Sequence, residues 1–387
     1  MEKTWRWFGK NDTISLSDLK QIGVEGIVTA LHHIPNGEIW TVDEILNLKS
    51  YIEDAGLRWS VVESLPVSEA IKYGGAEREQ LIENYKVSLA NLGKCGVNTV
   101  CYNFMPVIDW IRTDLNRKQE NGTYSLYFSQ VRFAYFDLCI LKRGNAEIGY
   151  SQEIIRQVHE LDKVISRQEK EDLIDSIIVK TQGFVNGNIS EGEQDPVAVF
   201  NRLLSNYKDI DKQQLRENLK YFLERVIPTA EEFGVNLCVH PDDPPFAVLG
   251  LPRIVTGEED IDCLLKMVDN PHNGLTFCAG SLSAGIHNDV PALARKFASR
   301  THFVHLRSTD ILPNGDFVEA SHLGGRANLL EVIRIFKSYP RLPMRVDHGP
   351  LMLTDVDKKY NPGYSFLGRM KALAEVSGMM AVIRAEK

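Results

Sequence analysis

The chain has 387 residues, 43% of them hydrophobic and 25% charged, the balance of a globular protein able to bury a large core. A net charge of −8 leaves no basic stripe to neutralise a phosphate backbone, which excludes nucleic acid as a partner. No apolar run approaches the roughly 20 residues that span a bilayer. The opening MEKTWRWFGKND lacks the apolar core of a signal peptide, so a cytoplasmic location and no membrane partner are expected.

Along the chain, short apolar runs alternate with amphipathic stretches. The runs are Trp5 to Phe8, Gly26 to Leu31, Arg58 to Glu63, Val97 to Phe104, Val235 to His240, Leu275 to Cys278, His302 to Leu306 and Met344 to Asp347. Helices are expected at Val42 to Ala55, Arg78 to Cys95, Lys212 to Phe233, Val290 to Ser299 and Leu329 to Ser338. Ser17 with Asp18 marks the start of the first helix, and Thr41 with Glu44 has capping-box spacing before the second. Gly23, Gly56, Gly96 and Gly234 stand where helices should close before the next strand. Eight such units predict an α/β fold, a (β/α)8 TIM barrel forming a single domain over 1–387.

The rhythm breaks once, over residues 111–210. Its middle, Gln152 to Ile178, has helical periodicity and dense charge, so a helical insertion after strand 4 is expected, serving as a lid or an oligomer contact. Gly183 to Gln194 reads as a mobile loop. A homo-oligomer, dimer or higher, is expected.

Four potential metal ligands end the last four runs: His240 in NLCVHPD, Cys278 in LTFCAGS, His305 in HFVHLRS and Asp347 in MRVDHGP. In a TIM barrel these ends gather on the rim that carries catalytic groups. Any one alone reads as a hydrogen-bonded polar group, but the joint placement points to a metal site. Strand alternation places Cys238 on the face of His240 one layer deeper, as core, and His302 at the far rim. The other cysteines form no CxxC pair and read as free thiols. Asp242 and Asp243 could reach the site or serve as loop caps. Two imidazoles and a thiolate suit Zn2+ or Fe2+, the carboxylate also suits Mn2+, and Mg2+ or Ca2+ would rarely recruit sulfur. His348 follows Asp347 and suits proton transfer or a supporting hydrogen bond. Tyr364, in NPGYSFLGR, reads as an acid or base near a cation, or as a packing residue at a helix start.

WRWFGKND at Trp5 to Asp12, VTALHHIPNGEIW at Val28 to Trp40, NFMPVIDWIRTDL at Asn103 to Leu115, VHPDDPP, HLR, RVDHG and NPGYS together resemble the mannonate dehydratases of the UxuA family. The resemblance runs from the first residues to the last helix, excepting mainly the insertion. It implies a xylose-isomerase-like TIM barrel, a divalent Mn2+ or Fe2+ ion, and dehydration of D-mannonate to 2-keto-3-deoxy-D-gluconate in glucuronate catabolism. Carried onto this chain, the family's ligands fall on His240, Cys278, His305 and Asp347, and its proton-transfer pair on His348 and Tyr364. For a sugar-acid substrate, Arg6 and Arg307 are candidates to fork onto the carboxylate. His32, His33, Asn36, Asp109 and His322 are candidates for the hydroxyls. A metal-dependent sugar isomerase on the same fold, which would be expected to use several bridging carboxylates, and a non-catalytic metal-binding protein are the alternatives.

Overall fold

The computed structural model describes residues 1–181, 189 and 192–386. Among the described residues the strands are, in chain order, β1 (Glu2–Arg6), β2 (Gly26–Thr29), β3 (Arg58–Glu63), β4 (Thr99–Tyr102), β5 (Asp114–Lys118), β6 (Tyr124–Phe128), β7 (Asn236–Val239), β8 (Asn273–Cys278), β9 (Thr301–Leu306), β10 (Ser308–Ile311), β11 (Phe317–Ala320) and β12 (Pro343–Val346). Eight of these close a parallel barrel in the order β1-β12-β9-β8-β7-β4-β3-β2. Helices cover the outer face of the barrel, so both faces of each strand are dry and the strands read as near-continuous apolar runs.

β1 begins at Glu2, earlier than its apolar residues suggest, because tertiary partners satisfy its polar ones. Glu2 takes Ser60 Oγ at 2.5 Å and Arg58 at 2.8 Å, and Thr4 Oγ1 donates to Met344 O at 2.8 Å. The helices Val42–Asp54, Arg78–Lys94, Lys212–Glu232, Val290–Phe297 and Leu329–Phe336 lie where periodicity puts them, each ending one or two residues early. The first helix, Leu16–Gln21, is capped by Ser15 rather than Ser17. Ser15 Oγ accepts from Asp18 N at 3.1 Å while the Asp18 carboxylate takes Ser15 N, which closes the capping box.

The stretch 111–210 is not all helical. It holds the helices Gln130–Tyr135, Gln152–Asp162, Arg167–Ile174 and Pro196–Ser205, but it opens with the antiparallel hairpin β5–β6. β6 pairs with β11 of a second hairpin, β10–β11, which follows β9, and the result is a four-stranded sheet in the order β10-β11-β6-β5. Both hairpins turn on Asn-Gly, with Gly122 at φ +84° and Gly315 at φ +83°, a backbone region that costs a glycine nothing. A second hydrophobic cluster packs beneath this sheet, including Val107, Ile111, Phe128, Phe133, Phe200 and Phe317. The expected loop Gly183 to Gln194 falls for the most part outside the described residues. Among the described residues no helix is long and apolar enough to cross a membrane.

Candidate active site

Strand register brings the candidate ligands together. Cys278 of β8 stands directly beside His305 of β9, and Asp347 follows β12 with its backbone N–H on Leu306 O at 3.1 Å. His240 follows β7, its N–H on Tyr102 O at 2.9 Å. Alternation then sorts the interior into layers. Cys238 and Phe303 point into a deep apolar layer with Val28, Val61 and Cys101. The residues two positions on, His240 and His305, face the mouth.

Donor atoms of His240, Cys278 and His305 all lie within 4.8 Å of one another. His240 Nδ1 faces Pro241 O at 2.7 Å, which turns Nε2 toward His305 Nδ1 at 3.2 Å. Cys278 Sγ accepts from Ser281 Oγ at 3.1 Å and lies 3.4 Å from Ser281 N. Burial opposes ionisation of this thiol, but the charges of His240 and Arg307 outweigh burial and hold it well below its ordinary range. Burial likewise opposes protonation of His240, and the thiolate overrides it, raising that imidazole to about 10. His305 Nε2 is buried with no hydrogen-bond partner, 3.6 Å from Glu63 Oε1. Two inward ring nitrogens beside a thiolate form a soft, electron-rich cluster that fits a divalent cation of borderline softness. Asp347 stands at its edge. Its Oδ2 lies 3.8 Å from Cys278 Sγ and 4.0 Å from His305 Nδ1, while Arg345 and Arg307 hold the carboxylate.

His348 and Tyr364 stand beside this cluster. The chain doubles back so that Gly349 bridges to Tyr364, Gly349 N donating to Gly363 O at 2.9 Å. The rings of His348 and Tyr364 lie 5.1 Å apart, nearly perpendicular. A Cβ on Gly363, which sits at φ +83°, would come within 2.8 Å of the His348 ring, so only glycine lets that ring take this place. Burial foremost pushes the Tyr364 phenol up to about 12. His348 Nδ1 meets Glu319 Oε1 at 2.8 Å, and Trp110 packs against the same ring at 5.4 Å.

The proposed substrate anchors divide. Arg307 is buried and committed, to Asp243 at 2.6 Å, Glu319 at 2.6 Å and Asp347 at 2.8 Å. Arg6 is also buried, but its NH1 has no hydrogen-bond partner and lies 4.0 Å from Glu63. His32 and His33 line a surface cavity of about 270 Å³ with Phe8 and Lys10, and the Phe8 ring meets Tyr364 at 5.0 Å. His33 pairs with Glu44 at 3.0 Å and Asn36 accepts from Ser68 at 2.7 Å, both away from the cluster. Asp109 is buried near Lys72 and Arg253, and burial foremost raises its carboxyl. His322 Nε2 lies 2.8 Å from Leu306 O. Asp242 accepts from the backbone of Ile254 and Val255 at 2.9 and 2.7 Å, the loop-cap role, while Asp243 pairs with Arg112 and Arg307.

The family model for D-mannonate dehydratase (UxuA) matches residues 1–387. The chain belongs to the D-mannonate dehydratase family. A mannonate dehydratase of Marinomonas sp. is 47% identical over 98% of both chains, and mannonate dehydratase 2 of Agrobacterium fabrum is 42% identical over 99% of this chain and 97% of that one. The crystal structure of mannonate dehydratase from Streptococcus suis superimposes with a TM-score of 0.79 at 32% identity, covering 100% of this chain and 96% of that one. A D-psicose 3-epimerase of Clostridium cellulolyticum, at TM-score 0.51 and 11% identity over 100% and 99% of the two chains, shares the barrel fold alone. In this member of the dehydratase family, sequence reasoning missed Glu63, Arg345 and Glu319. Glu63 closes the third apolar run, two positions past Val61 on the interior face, so the alternation that picked out His305 could have found it. Glu319 had no such signal, since it enters from outside the barrel.

Proposed function

We propose that this chain removes water from D-mannonate to give 2-keto-3-deoxy-D-gluconate, with Mn2+ or Fe2+ held by His240, Cys278, His305 and Asp347. The observation that carries this reading is the convergence, in one barrel mouth of a family member, of a soft donor cluster and the packed rings of His348 and Tyr364. When bound, the cation supplies positive charge that makes the proton beside the substrate carboxylate easier to remove.

The side chains divide the remaining work. His348, backed by the Glu319 carboxylate, takes the proton from C2. Tyr364, a phenol that stays protonated near neutral pH, gives its proton to the departing C3 hydroxyl, which leaves as water. Arg6 receives the substrate carboxylate, because its NH1 has no hydrogen-bond partner and its ion pair with Glu63 is long, at 4.0 Å, whereas three carboxylates within 2.8 Å already surround the Arg307 guanidinium.

The test is incubation of the purified chain with D-mannonate and added Mn2+ or Fe2+, with assay of the 2-keto product. Product should form, stop after chelation and resume when metal is restored. His348→Asn and Tyr364→Phe should keep their metal while turnover falls about 10²–10⁴-fold. Equal activity after exhaustive chelation would sink the reading, as would near-parental turnover in both variants.

A further inference from the structure

We infer that Glu319 is a positioning residue for the reaction, and that the four-stranded sheet outside the barrel serves to present it to His348. The inference rests on the reading of His348 as a proton-transfer group. Glu319 Oε1 meets His348 Nδ1 at 2.8 Å, and the two side chains are 8% and 6% exposed, so the contact is dry. An ionised carboxylate only accepts, so the hydrogen between them belongs to Nδ1. That leaves the lone pair on Nε2, the nitrogen that lies 3.7 Å from Oδ1 of Asp347, the carboxylate at the edge of the donor cluster. Glu319 thereby selects the tautomer, and the orientation, in which His348 accepts a proton on the substrate side.

No barrel strand carries Glu319. It lies on β11, which pairs with β10 in its own hairpin and is tied on its other edge to the stretch after β4. Phe317 and Val318 pair with Phe128 and Tyr127 of β6, and the Phe317 and Phe128 rings stack 5.0 Å apart at 10°. Gln130 N donates to Asp316 at 2.8 Å, and Tyr127 donates to the same carboxylate. From the same stretch, Arg112 reaches Glu319 Oε1 at 2.9 Å, and Arg307 donates to that oxygen at 2.6 Å. These two arginines fix the carboxylate, and the carboxylate fixes the imidazole.

The experiment uses the full chain loaded with Mn2+, and compares Glu319→Gln, which keeps the shape, and Glu319→Ala, which leaves Nδ1 without an acceptor, with His348→Asn. Removing a supporting partner of this kind costs about 10–100-fold in activity. Both Glu319 variants should therefore lose kcat by about that factor, with KM and metal content within about twofold of the parent. In 15N spectra of histidine-labelled protein, the His348 signal of Glu319→Ala should move from the Nδ1–H tautomer toward a mixture of both. Parental kcat in both Glu319 variants, with His348→Asn inactive, would overturn the inference, as would a parallel loss of kcat, KM and metal without a tautomer change. Activity retained by His348→Asn would instead overturn the underlying role of that histidine.

Discussion

Two cysteines test how much a single position in the barrel decides. Cys238 lies in the deep layer, its thiol 3.5 Å from Val100 O, whereas Cys278 is at the mouth with its sulfur among Ser281, Arg307 and the imidazoles. Cys278→Ser should lose most of its metal on dialysis, since a hydroxyl is a much poorer ligand for a borderline cation than a thiolate. Cys238→Ser should keep its metal and lose about 1–3 kcal/mol of stability, the cost of a poorly matched buried hydroxyl. Metal content after dialysis, with a denaturation curve for each variant, checks both. Equal metal retention would make Cys278 another core thiol. The convergence of His240, Cys278 and His305 was legible because the pleat repeats every two residues, so a strand's last inward residue can be counted from its core residues. Arg345, in contrast, reads in sequence as a charge interrupting an apolar run. Its partners come together only in the closed barrel: Glu63 of β3, not a neighbour of β12, at 2.9 Å, and Asp347, two residues on at the end of its own strand.

At the scale of elements, the two hairpins show a signal that was present and passed over. Asn121-Gly122 and Asn314-Gly315 each stand between residues of strand character, the strongest short-range mark of a hairpin. The dense charge further along 111–210 favours helices instead, and it outweighs the turn at Asn121-Gly122 when the stretch is read as one block. What no local pattern could show is that the hairpins pair with each other, since edge-to-edge register depends on the surfaces they bury. Phe128 is the hinge of that pairing, its ring lying 5.0 Å from Phe317 and 5.3 Å from Phe133. Phe128→Ala should cost about 3–5 kcal/mol, as large-to-small changes in a packed core do. It should lower turnover more than metal binding, because the barrel ligands lie on other elements. Chemical denaturation, metal content and kcat measured on one preparation separate these effects; a variant with parental kcat would show that the sheet is not needed to hold the mouth.

At the scale of the whole molecule, the eight repeats were legible because each strand is buried on both faces and each helix on one. On the proposed ligand set, the same arrangement would make metal binding a property of the closed barrel. His240, Cys278, His305 and Asp347 sit at the ends of β7, β8, β9 and β12, so an ion held by all four couples strands far apart in sequence. A ligand that binds only the folded state stabilises it by about 4 kcal/mol at a thousandfold excess over Kd. Tm should therefore rise with added Mn2+ and fall with chelator, and the response should shrink in Cys278→Ser. A Tm indifferent to metal in the parent chain would argue against a site that spans these strands. The divided sheet also has a consequence for synthesis on the ribosome. Tyr127 of β6 finds its partner Asp316 only 189 residues later, a delay of roughly 10–40 s at 5–20 residues per second. Throughout that interval the aromatic strand YSLYF lacks its β11 partner, leaving an unpaired strand edge open to association with other chains.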